Sequence, residues 1–198
     1  MESKEEFRAR CLQKLKHHAL RNKLRQDHAV LTKLALLLKD VKGKTILCYL
    51  PLKHEVNITK LMRSLRPDNR LLVPFMEGVS FKVVKFRLPI KKKRFSVLEP
   101  QNSQMIFSKI DIAIVPVVGV DGALRRIGHG KGMYDRFFSS LKCHPIVIFV
   151  QGADCFTTQH VGDAHDVQAD FYITPNHFIK RRGFNDFRVF NRRRCRAI

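Results

Sequence analysis

The segment RRIGHGKGMYDRFF, residues 125–138, sets Gly128, Gly130 and Gly132 at alternate positions among Arg125, Arg126 and Lys131. Glycines without a Cβ can take positive φ and turn successive N–H groups toward one point. Nearby cations, and the unpaired N–H groups of a helix expected to start near Gly132, suit the same ligand, a phosphate. The spacing matches no standard phosphate motif. A P-loop would carry Ser or Thr after the lysine, and a dinucleotide fingerprint would read GxGxxG directly after a strand. On spacing alone, a solvated flexible loop competes with the phosphate reading. His129 lies between two of the glycines with no partner at metal-ligand spacing, and reads as loop filler. His165 and Asp166 read as a turn residue and its neighbour rather than as a base pair.

Such a loop needs a strand before it and a helix after it. The run IDIAIVPVVGV (110–120) is continuous and apolar, as expected for a strand covered on both faces. A helix from about Lys131 to Leu141 follows, so the glycines lie at the carboxyl edge of the strand, where open α/β sheets bind ligands. Elsewhere, Leu12, Leu15, Leu20, Leu24, Leu31, Leu34 and Leu38 fall near a helical period, which predicts one helix or two from Lys4 to Leu38. TILCYLPL (45–52) and RLLVPF (70–75) predict strands on either side of a helix from Asn57 to Leu65. SFKVVKFRL (80–88) predicts an edge strand, 89–108 irregular chain, PIVIFV (145–150) a strand, and DFYIT (170–174) the last strand before a basic tail, 180–198. The alternation predicts an α/β fold: a three-layer α/β/α arrangement around a mostly parallel, Rossmann-like sheet. One domain is expected over 1–198, with 1–38 as an N-terminal helical segment.

The 198 residues suffice for a sizeable core, and the 44% hydrophobic content indicates a folded chain. No apolar run approaches the roughly 20 residues of a membrane span, and the charged N-terminus lacks the apolar stretch of a signal peptide. Five scattered cysteines without CxxC spacing argue against a disulfide framework or structural zinc site, and for a reducing cytoplasm. The formal charge of +21 is dispersed along the chain and reads chiefly as solvated surface. A basic α/β protein that uses the glycine loop on nucleic-acid phosphates is the alternative reading.

IDIAIVPVVGVDG together with RIGHGKGMYDRF closely resembles the 5-formyltetrahydrofolate cyclo-ligase (methenyltetrahydrofolate synthetase) family. YLPLKHEVNITKLM is similar to that family's first strand, substrate-contacting Glu and following helix. FSVLEP resembles its Glu-Pro segment and GDAHDVQADFYIT its last strand, while Lys4 and Arg8 match a Lys-x-x-x-Arg pair. Where the family often has a second aromatic, this chain has Met133. Its glycine in the turn before the arginine is Gly122, with Leu124 nearer Arg126, so a different turn geometry is expected.

The resemblance implies ATP-dependent closure of 5-formyltetrahydrofolate to 5,10-methenyltetrahydrofolate, with Mg²⁺, by a monomer. By that likeness, ATP contacts fall on Lys4, Arg8, Arg126, Gly128, His129, Gly130, Lys131, Gly132, Met133, Tyr134 and Asp135. Asp135 would also meet Mg²⁺, and Glu55, Met133 and Tyr134 would contact the folate. Plainer readings exist beside these: Asp135 as a helix-dipole carboxylate, Glu55 as a carboxylate leading into a helix, Tyr134 as core, and Lys4 and Arg8 as exposed helix residues.

Overall fold

The computed structural model of the chain describes residues 2–87, 90–92, 98–100, 107 and 109–183. Helices α1 (Lys4–Arg21) and α2 (Lys23–Leu38) precede strand β1 (Thr45–Leu47), helix α3 (Thr59–Leu65) and the hairpin β2 (Arg70–Glu77) and β3 (Ser80–Lys85). A short antiparallel pair follows, β4 (Ile90–Lys92) with β5 (Leu98–Pro100). The chain continues through β6 (Ile112–Pro116), β7 (Gly119–Val120), β8 (Arg126–Ile127), α4 (Met133–Ser139), β9 (Ile146–Val150), β10 (Phe171–Ile173) and β11 (Phe178–Lys180).

The main sheet has the order β11-β10-β9-β6-β1-β2-β3. From β10 to β2 every pairing is parallel, and only the edge strands β11 and β3 run antiparallel to their neighbours. Side-chain alternation splits each strand between two faces. Ile46, Ile112, Ile114, Ile148 and Ile173 pack with Leu34, Leu38 and Met62 of α2 and α3. Leu47, Ala113, Val115, Phe149 and Tyr172 face Phe137 and Phe138 of α4. The expected mostly parallel α/β/α arrangement is therefore observed.

α1 starts on a capping box: Ser3 Oγ accepts from Glu6 N (3.2 Å) and Glu6 Oε2 accepts from Ser3 N (2.8 Å). Its buried stripe, Phe7, Cys11 and Leu15, packs on Val118, Ile127, Ala153 and Cys155. Gly119 permits the approach, since a Cβ there would lie 2.6 Å from Phe7 Cε1. The helical run breaks at Asn22 (φ −132°, ψ 19°). Leu20 and Leu24, expected on the apolar stripe, flank this break and are each 87% exposed.

Several boundaries differ from the sequence reading. The long apolar run 110–120 is two elements, because after Pro116 the chain leaves the main sheet and Val118 N bonds Ile127 O at 2.9 Å. TILCYLPL contributes only its first three residues as strand, its remainder turning toward the loop that carries Glu55. β11 extends the sheet beyond the expected last strand. Most of 89–108, the FSVLEP likeness before Leu98, and the tail beyond Gly183 lie outside the described residues.

Candidate active site

The sheet reverses its strand order at β1: β2 lies on one side and β6 on the other. Loops leaving the carboxyl ends of β1 and β6 therefore diverge around a crevice, the usual ligand position in such sheets. The first loop carries Glu55; the second carries the turn at 121–126 and the glycine loop.

The turn is built around Asp121, which is fully buried. Its Oδ1 accepts from Ala123 N (2.9 Å) and Arg125 N (2.8 Å), and its Oδ2 from Gly162 N (3.1 Å). Leu124 takes φ +58°. A left-handed leucine costs on the order of 1–2 kcal/mol, which the surrounding bonds and the burial of its side chain offset.

That turn delivers Arg126 into the interior. The residue is buried, its Nε lies 3.4 Å from Pro116 O, and its guanidinium stands 4.7 Å from the centre of the Tyr134 ring. Burial works against its charge, opposed by Tyr134, Asp135 and Glu55. Gly130 (φ +91°) and Gly132 (φ +59°) use the left-handed backbone expected of them. Gly128 does not, and needs space instead: a Cβ would meet Arg126 Nη1 at 2.2 Å.

Two cavities of about 310 Å³ each flank this loop. One is polar, lined by Lys4, Arg8, Gly128, Gly130, Asp135 and Asp166 among others. The second is mostly apolar, with Tyr49, Leu52, Phe81, Met133, Tyr134 and the Glu55 carboxyl in its wall. Arg126 and Gly132 line both. The residues chosen from sequence thus gather here, though not all as expected. Lys131, His129, Met133 and Tyr134 border the apolar cavity and not the polar one.

α1 reaches the polar cavity with both of its expected cations. Arg8 Nε donates to Gly128 O at 3.0 Å. Lys4 Nζ lies 2.7 Å from Asp163 and 2.5 Å from Asp166. Burial opposes the Lys4 charge, but the two carboxylates outweigh it and its pKa is raised. Asp166 and His165, expected to be mere turn residues, line this cavity too. Asp135 Oδ1 accepts from Val167 N (3.2 Å), while Val167 O accepts from Arg126 N (2.8 Å). One residue thereby ties the acid to the arginine.

Glu55 is held by Leu52 N, which donates to its Oε2 at 2.9 Å. Lys23 of α2 bonds the Glu55 carbonyl and also pairs with Asp27 at 3.1 Å. Burial pushes the Glu55 carboxyl up to about 7, against the pull of the Leu52 N–H and the charges of Arg126 and Lys23. A carboxyl with this poise can hold or take a proton near neutrality. Its folded pKa lies above the unfolded one, so the folded state binds more protons between about pH 4.5 and 7 and stability declines as pH rises across that window. Glu55→Gln therefore gains stability relative to wild type on going from pH 5 to pH 8. Calorimetric melting at the two pH values checks this; an equal difference at both would contradict it.

One juxtaposition escaped the sequence altogether. His129 Nε2 sits 3.0 Å from His54 Nε2, and one oxygen of Glu55 shares their neighbourhood. Burial, then the charges of His54, Arg126, Lys131 and Arg8, lowers His129 to about 4, and burial with Lys16 and Lys23 lowers His54. The two rings are separated by 75 positions in the chain, so no local spacing announces the pair.

A profile of the 5-formyltetrahydrofolate cyclo-ligase family matches residues 1–175. A 5,10-methenyltetrahydrofolate synthetase from Aquifex aeolicus superposes with a TM-score of 0.76 at 25% identity, covering 92% of this chain and 94% of that one. A 5,10-methenyltetrahydrofolate synthetase from Mycoplasma pneumoniae gives 0.65, also at 25% identity, over 88% of this chain and 99% of its own. A sequence comparison with curated proteins returns no match. With the profile spanning both cavities and the glycine loop between them, the chain belongs to the 5-formyltetrahydrofolate cyclo-ligase family.

Proposed function

We propose that the chain catalyses the ATP-dependent cyclisation of 5-formyltetrahydrofolate to 5,10-methenyltetrahydrofolate, releasing ADP and phosphate. The observation that carries this reading is the pair of unlike cavities that meet at Arg126 and Gly132. The reaction needs that arrangement. A formyl oxygen is a poor leaving group, so it must receive a phosphoryl group before the neighbouring folate nitrogen displaces it, and donor and acceptor must be held together. Catalysis of such a transfer rests on positioning and charge stabilisation.

The polar cavity suits the triphosphate, with Arg8 and the loop glycines around it, and the apolar cavity suits the pterin, against Tyr134 and Phe81. Arg126 faces both and is the cation available to the phosphoryl group as it moves. Ring closure strips a proton from the attacking nitrogen, and Glu55 is the carboxyl of the apolar wall suited to take it. All of these residues come from one chain, so the reading needs no second subunit.

Mg²⁺ fits the donors at the polar cavity. It is a hard cation commonly held by one or two carboxylates together with substrate phosphates, and Asp135 and Asp166 both line that wall. Asp135 would hold it, and the ion would neutralise charge on the phosphates. Two linked experiments test the reading. Full-length protein with 5-formyltetrahydrofolate, ATP and Mg²⁺ should generate the near-ultraviolet absorbance of the methenyl product; no ATP-dependent rise from folded protein would refute it. Asp135→Asn should lower kcat roughly 100-fold. It should move Tm by less than about 2 °C, because the amide oxygen still accepts from Val167 N–H. A large fall in Tm with little kinetic effect would instead make Asp135 a structural carboxylate.

A further inference from the structure

We propose that His54, Glu55 and His129 form a site for a zinc-like divalent transition ion, and that occupancy of this site inhibits the enzyme. The three side chains each offer a ligand atom, and these atoms all lie within 4.8 Å of one another. Two imidazoles with one carboxylate are a donor set that suits zinc, copper or nickel and suits magnesium poorly. The separation of the imidazole nitrogens is close to what a shared ion requires. Two Zn–N bonds of roughly 2.0–2.1 Å at a tetrahedral angle put their nitrogens about 3.3 Å apart, and His54 Nε2 and His129 Nε2 already stand at 3.0 Å with the rings tilted by 58°. A shift of a few tenths of an ångström would admit the ion.

The position gives the site its consequence. His129 belongs to the glycine loop, between the loop's tie to Arg8 at Gly128 and the left-handed Gly130. His54 and Glu55 belong to the loop after β1. An ion bound by all three would join the two loops across the apolar cavity, which both Glu55 and His129 line. It would also occupy Glu55, removing the carboxyl from any substrate, and fix a loop that must accommodate a nucleotide. With three protein ligands, a fourth position stays open to water or to a substrate atom.

The test uses the full chain, stripped of metal and titrated without ATP, since ATP itself chelates zinc. Zinc is measured by competition with a chromogenic chelator, and cobalt(II) serves as the spectroscopic probe of coordination. The expected result is one equivalent bound at micromolar affinity with the visible absorption of four-coordinate cobalt. His54→Gln should weaken binding at least about 10-fold. His54 lies outside both cavity linings, so His54→Gln should retain its basal cyclisation rate while losing inhibition by buffered free zinc under excess Mg-ATP. Unchanged zinc affinity in His54→Gln would overturn the site. So would binding lost through His165→Gln instead, which would assign the ion to the Asp163, His165 and Asp166 cluster. Zinc bound as expected but without inhibition would overturn the clamp. The titration does not depend on the cyclase reading, so a failure of one is distinguishable from a failure of the other.

Discussion

Replacing Arg126 with Met should lower kcat/KM about 1,000-fold for both substrates, which is at the upper end of what loss of one oriented charge costs. The guanidinium is in the wall of both cavities, so its loss is felt by nucleotide and folate alike. Met has a similar length and no charge to desolvate, and burial already works against the arginine's charge. The fold should therefore tolerate the change, with Tm equal to or above wild type. Arg126→Lys keeps the charge but loses the planar fork that sits over Tyr134, and should recover only part of the activity. Steady-state kinetics with each substrate varied in turn decide the matter. A rise confined to the KM for ATP would place Arg126 in the nucleotide site alone.

The largest stability effect is expected from Gly122→Ala. A Cβ there would lie 2.2 Å from Thr158 O and 2.7 Å from Thr158 C, both backbone atoms. No rotamer change relieves such a contact, and the two segments are further tied by Gly122 N donating to Gln159 O at 3.0 Å. Either that bond breaks or the Asp121 turn moves. The cost should be about 3 kcal/mol, the upper part of the range for overpacked sites, or a Tm lower by roughly 10 °C. Activity should fall with it, since the same turn sets the position of Arg126. Gly43→Ala provides the comparison: its φ is +66°, but nothing lies within 4 Å of the added carbon. Only the backbone term of about 1 kcal/mol applies there. Urea unfolding of the two variants measures the difference; equal losses would contradict the clash.

The sheet was legible in the sequence because apolar strands covered on both faces need long Ile and Val runs, and β6 and β9 have them. The glycine loop was legible because backbone that takes positive φ, as at Gly130 and Gly132, discards side chains. Other features carry no local signature. Gly128 reads like its neighbours in the sequence, yet its requirement comes from a guanidinium two residues back that folds under it. His54 and His129, and Lys4 and Asp166, meet only through tertiary structure. Leu20 and Leu24 keep an approximate helical period in the sequence, yet they flank the break at Asn22 and lie off the buried stripe. Leu124 shows the converse: a residue poorly suited to positive φ is held there by bonds from Asp121 that composition cannot reveal.

The clasp between α1 and the segment at 163–166 has a consequence for biosynthesis. Lys4 meets Asp166 across 162 positions of sequence, and Arg8 meets the Gly128 carbonyl across 120. During synthesis α1 emerges from the ribosome long before either partner exists. Phe7, Cys11 and Leu15 must then wait, unburied, for Val118 and Cys155 to be synthesised. The polar cavity is thus among the last parts to close, and α1 is exposed to misassembly until it does.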